Sequence, residues 1–250
     1  MIMRQFISFP LMLLLVSGIF CIHACSEDDN EAGPELVSNA DFTIIETGAT
    51  INRELDQVVM SIRVAGRAGN TYPTPAGQLD GAPVLGYVFP TTLSPADVGF
   101  GETEGILAMA LTSHPDFDDT PLWDENQDQD YLNDGRVWHV HWVLLVDDNR
   151  VAGGLSVKQF DPNDDSIVMP PTHPDMPIYL DSPGFQVVTR GEHIRVVIPL
   201  DRINHKDSFR FDAVTVFMEV NTSDDALPML GVYQVYDMAS DDLSLPFQTN

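Results

Sequence analysis

Trp138-His139-Val140-His141-Trp142 sets two imidazoles two positions apart within a run of apolar, strand-favouring residues. On an extended chain successive side chains alternate faces, so His139 and His141 share one face while Trp138, Val140 and Trp142 share the other. Two imidazoles on one strand face can hold a transition metal when a neighbouring strand supplies a further donor. His114, just past the apolar run 105–112, is the first candidate for that donor, and His193 is the second. Imidazole nitrogen suits Zn2+ or Cu2+. The bland alternative is two hydrogen-bonded strand histidines with no ion between them.

A different chemistry is written in residues 115–135. Asp116, Asp118, Asp119, Asp124, Glu125, Asp128, Asp130 and Asp134 put eight acids into nineteen positions. Such crowding of like charge calls for screening by water, salt or a cation. Asp124, Asn126, Asp128 and Asp130 alternate as oxygen donors do in the first half of a calcium loop, so Ca2+ is the expected ion. Gln129 and Gly135 stand where an EF-hand needs glycine and glutamate, so the segment is not an EF-hand, and a solvated acidic loop remains the alternative. Aromatic side chains add a third possibility. Trp123 sits in polar surroundings between Pro121 and Asp124, and with Tyr131 it can offer a stacking surface to a sugar ring. Tyr72, Tyr87 and Phe117 are further candidates, whereas Trp138 and Trp142 suit a core better.

No catalytic residue is singled out. The chain has no Gly-x-Ser-x-Gly turn, no Gly-x-Gly-x-x-Gly and no phosphate loop. A carboxylate pair for acid–base work cannot be chosen among 38 acids without geometry. Against 12 basic residues those acids give a formal charge of −26, which disfavours nucleic acid and electrostatic docking on anionic lipid. At 44 % hydrophobic residues the chain is too apolar to be disordered.

The N-terminus reads as an address. Arg4 precedes an apolar run, 6–20, which is short for a membrane span and typical of an export signal. Ile22-His23-Ala24-Cys25 resembles the bacterial lipobox, which implies cleavage after Ala24 and lipidation of Cys25. The acidic run after Cys25 resembles the surface-export signal of lipoproteins in Bacteroidota-like bacteria. The expected organisation is a signal peptide over 1–24, an acidic tether over 25–38 and one domain over 39–250. The expected location is the cell envelope, as an outer-membrane lipoprotein exposed at the surface and held to the membrane by its lipid.

The elements that must position these residues are strands. Runs rich in Val, Ile, Phe, Tyr and Thr recur between Gly, Pro, Asn and Asp. They predict about ten strands, at 42–46, 57–65, 84–89, 105–112, 136–146, 150–160, 185–190, 192–200, 209–220 and 231–236. The fold class is all-β, an antiparallel, jelly-roll-like sandwich with long loops at 66–83, 115–135 and 161–184. Six prolines bar a central strand from the last of these. Asp147-Asp148-Asn149 is a hairpin turn.

Glu192-His193-Ile194-Arg195-Val196-Val197-Ile198-Pro199-Leu200, followed by Phe209-Arg210-Phe211-Asp212-Ala213, resembles the ending of family 9 carbohydrate-binding modules and their DOMON relatives. Trp142 to Asn149 resembles their hydrophobic strand and its Asp/Asn turn. The resemblance implies a sandwich fold with sugar, haem or calcium ligands. The His-x-His-Trp segment resembles the zinc strand of α-carbonic anhydrases, without their further histidine context or the glutamate of cupins. Three functions follow as expectations: a lipid-anchored glycan-binding module ordered by Ca2+, a Zn- or Cu-dependent protein or enzyme, and an envelope lipoprotein with no small ligand.

Overall fold

A strand with apolar residues at every second position, such as Val58, Met60, Ile62 and Val64, can bury one face. An unbroken apolar run, such as Val84-Leu85-Gly86-Tyr87-Val88-Phe89, must bury both. The computed structural model describes residues 39–120, 124, 129 and 134–250 and contains both kinds of strand. The signal peptide, Cys25 and the tether lie outside the described residues.

The strands are β1 (Ile44–Asn52), β2 (Gln57–Val64), β3 (Pro83–Pro90), β4 (Ile106–Ser113), β5 (His139–Asp147), β6 (Leu155–Val157) and β7 (Leu180–Asp181). After them come β8 (Gln186–Arg190), β9 (His193–Pro199), β10 (Arg210–Phe211), β11 (Val214–Val220), β12 (Leu230–Met238) and β13 (Phe247–Gln248). All pairings between them are antiparallel. One sheet has the order β1-β2-β9-β8, and β10 pairs with β13 in a small ribbon. The larger sheet runs β4-β3-β11-β12-β6-β5-β7, and β5 also pairs back onto β4.

The all-β, antiparallel class is therefore present, but the larger sheet is not the open layer of a sandwich. Six of its strands close into a barrel. The reason lies in the doubly apolar strands: closure removes their unpaired edges and lets their inner faces bury one another. Their outer faces remain free to cover the four-stranded sheet. Two apolar clusters result. One joins Met60, Ile62 and Val196 of the four-stranded sheet to Leu85, Tyr87, Met109, Trp142 and Phe217 on the outside of the barrel. The other, with Val84, Val88, Ala110, Val143 and Val216, lies inside it.

Several strand limits differ from the sequence expectation. β1 runs on through Thr47-Gly48-Ala49-Thr50 because its partner β2 extends opposite, pairing Gly48 with Ser61. The expected strand 150–160 shrinks to β6, since Gly153 and Gly154 form a turn and Gly154 takes a positive φ of 74°. The run 209–220 breaks at Asp212-Ala213 into β10 and β11. The proline-rich loop carries only the two-residue β7, at the end of its sheet.

Candidate metal centre

Register brings the histidines together. On the β4–β5 ladder Thr112 lies opposite His139 and Ala110 opposite His141. His114, one residue past β4, extends the row of Ala110 and Thr112, so three imidazoles from two strands face the same end of the barrel. The chain then turns back tightly. His114 Nδ1 meets the Phe117 carbonyl at 3.0 Å, and the Phe117 ring stacks on the imidazole at 3.9 Å between centroids. The Asp118 carboxylate accepts from both the N–H and the hydroxyl of Thr120. This turn delivers Asp119 into the centre of the three rings.

Single donor atoms of His114, Asp119, His139 and His141 all lie within 4.8 Å of one another, and all four residues are buried. His114 Nε2 and His139 Nε2 are 3.0 Å apart. Asp119 Oδ1 lies 3.3 Å from His114 Nε2 and 3.2 Å from His139 Nε2, and Oδ2 lies 3.4 Å from His141 Nε2. Four ligands at bond lengths of about 2.0–2.1 Å around a tetrahedral ion stand about 3.3–3.4 Å apart. The distances given are close to that spacing, and the group could hold a metal ion.

Hydrogen bonding on the far side of each ring fixes which nitrogen carries the proton when the ring is neutral. His139 Nδ1 faces the Val137 carbonyl at 2.6 Å, as His114 Nδ1 faces that of Phe117. A carbonyl can only accept, so both Nδ1 atoms carry the proton. The Ser182 hydroxyl donates to the Asp119 carbonyl at 2.5 Å and so accepts from His141 Nδ1 at 3.1 Å. In the neutral rings all three Nε2 lone pairs then point inward at a carboxylate. Thr112 Oγ1, 3.3 Å from His139 Nε2, is a hydroxyl that can donate to this group. Among the described residues Asp119 Oδ1 and His141 Nε2 have no hydrogen-bond partner.

Converging lone pairs repel unless a cation lies between them, and tying off the outer nitrogen is how metal-binding histidines are oriented. Burial lowers the pKa of His141 to about 3, against the pull of Asp119. The His141 ring is thus kept neutral, its ligating form, and the four residues can hold a metal ion.

Of the expected site residues, His114, His139 and His141 are brought together. His193 begins β9 in the other sheet and takes no part. Sequence reasoning names Asp119 only among the crowded acids, and nothing in the sequence separates it from Asp116 and Asp118. For the calcium set, the Asp124 carboxylate accepts from the Gln129 N–H at 2.9 Å, while Asn126, Asp128 and Asp130 lie outside the described residues, as do Trp123 and Tyr131. Tyr87, Trp138 and Trp142 are core residues, Phe117 is committed to His114, and Tyr72 is exposed with the Arg136 guanidinium 4.8 Å from its ring. Comparison with family models, with curated proteins and with solved structures finds no match to this chain.

Proposed function

We propose that this chain is a metal-dependent protein in which His114, Asp119, His139 and His141 hold one divalent first-row transition ion, with Zn2+ the first choice and Cu2+ the second. The observation that carries the reading is the convergence of three Nε2 lone pairs, each fixed by a hydrogen bond at Nδ1, on one buried carboxylate. Three nitrogen donors and one oxygen suit these ions better than Ca2+ or Mg2+, which prefer oxygen alone. Elemental analysis of protein dialysed exhaustively after mild purification tests it. One ion per chain is expected, falling to trace in His141→Ala, and no stoichiometric transition metal in the unsubstituted protein ends the reading. A chelator should also lower Tm, because an ion bound only by the native state stabilises it.

The chain's leader supports an envelope location for this centre, with Cys25 carrying the lipid. Labelling with a radioactive fatty acid should mark the unsubstituted protein and leave Cys25→Ala unmarked.

A further inference from the structure

We infer that the inside of the barrel is a binding cavity for one small amphiphile, a monoanionic metal-ligating head on a hydrocarbon tail, with its head on the ion. The inference rests on the metal reading above and adds the ligand class. Stretches of four strands set smaller residues inward and larger ones outward, although Leu145 and Met218 also face the cavity. Val84, Gly86 and Val88 of β3 face in, while Leu85, Tyr87 and Phe89 face out. In β4 the inward Ala110 lies between the outward Met109 and Leu111, in β5 Val143 precedes Leu144, and in β11 Val216 precedes Phe217. Larger side chains would fill the barrel. These leave a cavity of about 270 Å3, whereas close-packed interiors hold few voids larger than a water molecule.

The cavity wall is hydrocarbon except where it meets Thr112, His114, Asp119 and His141, and at Asp147. A ligand that fits must therefore be apolar along its length and polar where it meets the centre. Charge sets the kind of head. A divalent ion held by three imidazoles and one carboxylate keeps one net positive charge away from bulk water, and a monoanion entering as a fifth ligand, a number that zinc sites can reach, neutralises it. Size sets the tail. A cavity of about 150 Å3 takes benzene, so one of this size holds about eleven heavy atoms.

Calorimetric titration of the metal-loaded protein with straight-chain carboxylates from acetate to decanoate tests the inference. Each added methylene should tighten binding about fourfold, the factor for burying one CH2 group. The gain should stop near nonanoate, and the stoichiometry should be one per chain. Val216→Phe, which fills the cavity from a wall residue that is not one of the four ligands, should abolish the chain-length dependence and keep one ion per chain. If that variant does not fold, the series on the unsubstituted protein decides alone. Affinity independent of chain length in protein carrying its ion overturns the inference and leaves the metal centre standing, and several carboxylates per chain, a sign of surface adsorption, do the same. Protein without the ion overturns the metal reading and the anionic head together. Benzene then reads the cavity by itself: a raised Tm retains an apolar site, and an unchanged Tm removes it.

Discussion

Ser182 joins two parts of the centre that the chain keeps far apart. Its hydroxyl donates to the Asp119 carbonyl and accepts from His141 Nδ1, fixing both the turn that carries the carboxylate and the tautomer of the ring. Removing such an outer partner from a metal ligand weakens binding by about 10- to 100-fold. Ser182→Ala should show that loss in competition with a chromophoric chelator, with little change in the circular dichroism of the folded protein. Residue types made three of the four donors legible as candidates, His139 and His141 by strand alternation and His114 by its place just past a neighbouring apolar run, with two hydrogen-bonded strand histidines as the competing reading. Asp119 was not legible. Asp116, Asp118 and Asp119 are chemically alike, yet Asp116 accepts from the Ala76 and Gly77 N–H groups, Asp118 closes a turn on Thr120, and only Asp119 enters the barrel. Nothing in a side chain's chemistry distinguishes them; the path of the loop does.

At the scale of elements, the centre depends on how the segment after β4 returns to the segment before β5. The His114 N–H donates to the Gly135 carbonyl at 2.8 Å, so the two ends of the loop are clasped beside the ligand. A Cβ at Gly135 would lie 2.0 Å from the Phe117 carbonyl oxygen and 2.7 Å from His114 Nδ1, closer than any such contact can be. Gly135→Ala should therefore displace the turn, cutting metal stoichiometry and lowering Tm together. The β5–β6 connection is held by charge. Asp148 accepts from the backbone and guanidinium of Arg150 and from the Ser156 hydroxyl. The Arg150 side chain, aided by Ser156 and opposed by burial, holds the Asp148 carboxyl below its ordinary range. A depressed pKa contributes stability that is present above the unfolded value of about 3.9 and fades as pH falls through the native one. Asp148→Asn should thus cost about 1–3 kcal/mol in urea unfolding at pH 7, and the difference from the unsubstituted protein should shrink below pH 4. This hairpin turn was legible in Asp147-Asp148-Asn149, whereas the break of β10 from β11 at Asp212-Ala213 had no signal of its own.

Across the whole molecule, the −26 charge has an ordinary explanation for part of its acids. Asp118, Asp161, Asp164, Asp224 and Asp242 each accept from the backbone N–H two residues on, which is the turn chemistry that aspartate favours. The four-stranded sheet and the barrel share one apolar cluster, so they should unfold as a unit. Ile62→Ala, at a fully buried position of β2 remote from the ligands, should cost about 2–5 kcal/mol in a single denaturant transition. Its metal stoichiometry should stay at one, which separates damage to the fold from damage to the centre. The sequence by itself determined the antiparallel all-β class, because strand periodicity and turn residues are local properties of the chain. It also determined that His139 and His141 share a face, since a strand's alternation is fixed by backbone geometry. Only the tertiary structure decided that the larger sheet closes. Barrel and sandwich place the same burial demand on doubly apolar strands, and the choice between them is made by the β4–β5 pairing. The same pairing decided that His114 and Asp119 reach the two histidines of β5. A cluster able to hold a metal ion joins residues from separate strands and loops, so it exists only once the long-range register is set.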